Sequence, residues 1–158
     1  MNTSMILCLA FAIGVVGGLR ALTAPAVVCW AAHLGWINLH GSHLAVLGSI
    51  VTVVIITILA IAELINDKLP ATPSRTTAVP LSVRIVTSGL CGAALAIAGG
   101  QGVPLGAIIA VVGALVGAFG GYQVRHQIVT QLKLKDIAVA LTEDLIAIGG
   151  ALLIVTRF

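Results

Sequence analysis

Charge is what this sequence has least of. Asp, Glu, Lys and Arg make up only 8% of its 158 residues, against about 25% in a soluble domain. Such a chain cannot cover a water-facing surface with polar groups. Its three cysteines, Cys8, Cys29 and Cys91, have no CxxC spacing and sit in apolar segments, which makes them small buried hydrophobes rather than redox or metal groups. The four histidines (His33, His40, His43, His126) do not have zinc-site spacing. A Gly-rich phosphate loop, a nucleophile elbow and a Ser/His/Asp arrangement are all missing, so enzyme activity is not expected, and neither is a cofactor. No Lys or Arg precedes the first apolar run, "MNTSMILCLAFAIGVVGG". That run lacks the charged front and cleavage site of a secretory signal and is expected to be a retained first span.

What is abundant is hydrocarbon. Hydrophobic residues make up 59% of the chain and the mean hydropathy is +1.19. Apolar stretches of about eighteen or more residues recur, each long enough to cross roughly 30 Å of bilayer. The expectation is an all-α, polytopic membrane helix bundle of about five transmembrane helices, forming a single domain over 1–158. The formal charge of +3 then reports topology rather than nucleic-acid binding.

Residues 4 to 34 form a broken first element: a helix, a Gly17-Gly18 hinge with Arg20, then a half-helix with Thr23 as N-cap and Pro25 in its first turn. The second span covers His43 to Asn66, the third Ser82 to Ala98, the fourth Pro104 to Gly121, and the fifth runs from an Asp136 cap to Thr156. Lys68, Arg75 and Arg84 are assigned to one connection, and Arg125, Lys133 and Lys135 to another. The connections at 35–43 and 99–103 have no Lys or Arg. Positive residues favour the cytoplasmic side, so the N-terminus is expected inside. Trp30 and Trp36 fit an outer aromatic belt. Gly113, Gly117 and Gly121, spaced by four, make a small-residue ridge for close helix packing, within the protomer or between copies of a homo-oligomer.

Against this background the acids stand out. Glu63, Asp67, Glu143 and Asp144 lie within or at the edge of spans, where ionised groups cost several kcal/mol at depth. Glu63 and Asp67 share one helical face, continued by Ala60, Ile56, Thr52 and Ser49. Glu143 shares another with Asp136, Ala140, Ala147 and Gly150. With Arg20 and Arg125 the four acids make a candidate ion- or substrate-binding set in an acidic seam between spans two and five. Two readings stay open. The acids line a cavity that binds a small cation or polar solute, including cation/proton exchange, or they form structural ion pairs with Arg20, Lys68, Arg84 and Arg125 in a scaffold or lipid-handling protein.

Three segments, "GGLRALTAP", "AELINDKLPATPS" and "LTEDLIAIGGALL", together resemble a family of small integral membrane proteins known as domain of unknown function 4126. The resemblance covers nearly the whole chain. It marks Gly18 to Ala21, Glu63, Asp67-Lys68, Pro70 and Glu143-Asp144, and it implies a fold and a residue set without a reaction. The family usually has an acid shortly after that proline, where this chain has Thr72-Pro73-Ser74. "AELINDK" is also similar to the Glu-x-Gly-Asp-Lys signature of cation/proton exchangers that handle manganese and calcium. That family carries it twice, and here there is one partial copy without the glycine. The expected setting is a bacterial inner (cytoplasmic) membrane, with the lipid bilayer and further copies of the chain as partners.

Overall fold

The computed structural model describes residues 1–67, 76–131 and 136–158. Among these the chain is all-α: α1 (Thr3–Leu19), α2 (Thr23–His33), α3 (Ile50–Asn66), α4 (Ala78–Ala98), α5 (Val103–Gln131) and α6 (Asp136–Val155). A 3-10 segment, His43–Gly48, precedes α3. Lys68, Pro70, Thr72-Pro73-Ser74, Arg75, Lys133 and Lys135 lie outside the described residues, as does the side chain of Asp136.

Among the described residues three helices are, by length and composition, long and apolar enough to cross a membrane: α4, α5 and the Ile137–Val155 part of α6. The apolar helices α1 and α3 have 17 residues each. At 1.5 Å per residue that is about 25 Å, near the lower end of a spanning length.

α1 sits at the centre, packed on α5, α4, α6 and α2. Small residues on both sides allow this contact. A methyl group added at Gly14 or Gly18 would strike the backbone at Ala110 or Ala114 of α5, and one at Gly113 or Gly117 would strike the backbone at Phe11 or Val15 of α1. The Gly113 and Gly117 part of the ridge is therefore used inside the protomer, where backbone-to-backbone approach replaces the hydrophobic drive of soluble packing. Gly92 of α4 meets Gly106 and Ala110 of α5 in the same way. Around this seam Ile13, Val16, Val28, Leu95, Ala147 and Val155 form the buried core.

The break in the first element is real, but its cause differs from expectation. Gly17 and Gly18 are helical and serve packing: Gly17 lies under Ser88 of α4, and Gly18 under α5. The chain leaves the helix at Arg20, which is extended (φ −138°, ψ 111°). Pro25 explains why. A continuous helix would drive its ring into the carbonyl four residues back, at Ala21, whereas in the first turn of a new helix it is tolerated.

Other boundaries also move. The expected second span divides into the 3-10 segment and α3 at Ser49, whose Oγ accepts the Thr52 N–H at 3.2 Å as an N-cap. α5 does not stop at Gly121 but continues to Gln131. Its 29 residues reach about 43 Å, longer than a bilayer's hydrocarbon core. Two connections turn at glycines in the left-handed region, Gly35 after α2 (φ 77°) and Gly100 after α4 (φ 69°).

Candidate functional site

The α1–α2 break places Arg20 in the middle of the protein, fully buried. Its Nη1 pairs with Oδ2 of Asp67, its Nε lies 2.7 Å from Oδ1 of Asp144, and its Nη2 lies 3.8 Å from Oε2 of Glu143. One planar guanidinium thus joins acids from the end of α3 and from α6, a task suited to its fixed fork of donors.

Glu63 does something different. The N–H groups of Ala21 and Leu22 donate to its Oε1 and Oε2, at 2.8 Å each. A helix that starts inside a bundle has orphan N–H groups and a partial positive charge at its first turn. The carboxylate supplies the acceptors from another helix. Thr23 is therefore not the cap: it is the first residue of α2, its hydroxyl makes no cap bond, and the N-cap position is Leu22.

Two more arginines complete the network. Arg84 Nη1 lies 3.7 Å from Glu63 Oε1, and Arg125 Nη1 lies 3.6 Å from Glu143 Oε2. Arg84 was assigned to a loop by its charge, yet it is in α4 and buried. One helical turn on, Ser88 is also fully buried. The Ser88 Oγ and the Thr23 Oγ1 have no hydrogen-bond partner among the described residues.

The structure thus joins five of the six expected site residues, Arg20, Asp67, Arg125, Glu143 and Asp144, in one chain of ion pairs, and sets Glu63 next to it through the Ala21 and Leu22 amides and Arg84. It does not do so through a seam between spans two and five. α3 packs on α2 and the 3-10 segment, while α6 packs on α1 and α2. Arg20 in the break carries the connection. Sequence reasoning named Arg84 as an ion-pair partner of the acids but missed Ser88 and Thr23 as members. The available signal was the four-residue spacing of Arg84 and Ser88, followed by Cys91 and Gly92, which makes a polar-to-small stripe on one face of α4. Among the described residues no three His, Cys, Asp or Glu side chains are grouped as a metal set.

Fold and site together define a helical membrane-type bundle organised around a broken helix and a buried arginine–carboxylate network. The chain belongs to the domain of unknown function family DUF4126, whose model matches residues 7–157. No curated protein and no solved structure matches it.

Proposed function

We propose that this is a small membrane transporter or channel-like protein for an ion or small polar solute, proton-coupled cation exchange included, with the network at the helix break as its polar path. The observation that carries the proposal is the pair of buried hydroxyls, Thr23 Oγ1 and Ser88 Oγ, without partners among the described residues and set beside buried arginines. A buried polar atom without a partner costs about 1–3 kcal/mol, so such atoms mark places where water or a solute supplies the missing bond. A half-helix pointing its N-terminus at a charged group is also a common way to build a substrate site in transporters. At the other end of α2 lies a hollow of about 270 Å³ lined by His33, His40 and Ser49 among others, which places polar groups at both ends of this half-helix.

The proposed setting is a bacterial inner membrane crossed five times, with the N-terminus cytoplasmic and the chain acting as a homo-oligomer. The test is purified protein in liposomes, screened for proton-coupled flux of manganese, calcium, magnesium and sodium. Flux abolished by Glu63→Gln and Glu143→Gln in folded protein supports the proposal.

One observation favours a second reading, a non-transporting scaffold or lipid-handling protein. Each of the four acids lies within ion-pair distance of an arginine, as a structural clasp requires. In that case neither variant has a flux to lose, and both lose stability because partner charges are stranded.

A further inference from the structure

α5 and α6 both lean on α1 but scarcely touch each other. The gap between them is a groove of about 350 Å³ with Val15 and Leu19 of α1 in its floor, bounded by Gly120 and Val124 on one side and Ile146 on the other. Arg125 and Glu143, the 3.6 Å pair at the edge of the network, also line it. We propose that this groove is a binding site for one membrane glycerophospholipid, with an acyl chain along the apolar part and the phosphate against Arg125.

Shape suits a chain. The lining runs along α5 from Val116 to Ile128, about 18 Å at 1.5 Å per residue, an elongated apolar trough in which an extended hydrocarbon chain can lie. Charge argues for the headgroup. A guanidinium has five donors in a fork that holds a phosphate and a carboxylate together. Depth agrees. Arg125 lies four residues beyond the Val103–Gly121 apolar run, which puts it near the interface, where lipid phosphates are, while Val116 and Ile146 lie at the opposite end of the groove. The floor and walls are apolar, so leaving the groove empty would forfeit the contacts that hydrocarbon makes there. The site shares Glu143 with the network but does not depend on transport.

Gly120 gives a direct test, because a side chain added there meets no atom within 4 Å and would project into open space. Gly149 of α6 is equally open but does not line the groove. Protein reconstituted with palmitoyl-oleoyl phosphatidylglycerol, then exchanged into detergent, is examined by native mass spectrometry. The parent and Gly149→Phe should each retain one phospholipid per chain, Gly120→Phe at least tenfold less, and diacylglycerol, which lacks the phosphate, at least tenfold less in the parent. If Gly120→Phe does not fold, Val124→Trp, at an exposed groove position, is the second filler. Equal phospholipid retention by a folded filler variant, no retention by the parent, or a change in oligomer mass without lipid loss overturns the proposal.

Discussion

Arg20 Nε and Asp144 Oδ1 lie 2.7 Å apart, joining the break in the first helical element to α6. The same guanidinium reaches Asp67 and Glu143, so three carboxylates share one cation at a position without solvent contact. Taking such a group out of water costs several kcal/mol. The cost is offset only while the acids stay in place around it.

The first prediction follows from that dependence. Arg20→Met removes the buried cation that three acids share, although Glu143 keeps Arg125, and should lower stability by about 3–5 kcal/mol. Arg20→Lys should recover only part of this, because an ammonium cannot span three carboxylates as the fork does. Thermal melting in detergent measures both. An unchanged melting temperature in Arg20→Met would show that the pairing contributes nothing.

Glu63 should behave as a helix cap as much as an ion-pair partner. Glu63→Gln keeps one acceptor for the Ala21 and Leu22 amides and turns an NH2 toward the other. The expected loss is about 1–3 kcal/mol. A double-mutant cycle with Arg84→Met should find that most of it persists without Arg84, since the amides are at 2.8 Å and the guanidinium at 3.7 Å. A loss that vanishes in the Arg84 variant would reverse this ranking.

Glycines should sort by what lies above them. Gly117→Ala pushes a methyl into the backbone at Val15, and Gly14→Ala into that of Ala110, so both should disturb the α1–α5 contact and lower the melting temperature. Gly149→Ala meets nothing and gains helix propensity, about 0.5–1 kcal/mol. Equal melting of all three would mean that the close approach is not needed for folding.

Much of this architecture could be read from the sequence, and the failures have physical causes. The apolar runs and the pairing of Arg20 with Pro25 announce the helices and the broken first element. Gly17-Gly18 misled because a glycine allows both a hinge and a close approach, and only the neighbour's backbone decides which. Gly120-Gly121 similarly suggested a stop, but "YQVRHQIVTQ" continues the helix. Arg84 was assigned to a loop because charge alone favours water, and its burial depends on Glu63, which is distant in sequence. The acids were recognised by their cost in an apolar chain, whereas their meeting point depends on which helices pack together.

Topology can be tested independently of the network. The alternation of basic segments predicts that single cysteines near Arg75 and Lys133 are labelled only from the cytoplasmic side, and those near His40 and Gly102 only from outside. Both sets labelled from one side in intact cells would overturn the five-span arrangement.

The account's central claim, that the buried network is a path and not only a clasp, is tested most directly at Thr23 and Ser88. Thr23→Val and Ser88→Ala each remove a buried hydroxyl that has no partner among the described residues, so stability should stay level or rise. Solute flux is measured in liposomes containing parent or variant protein at matched amounts and matched melting temperature. The path predicts parent flux and a loss of at least tenfold in each stable variant. Parent flux that both variants keep in full, or no parent flux for any ion tested, contradicts it.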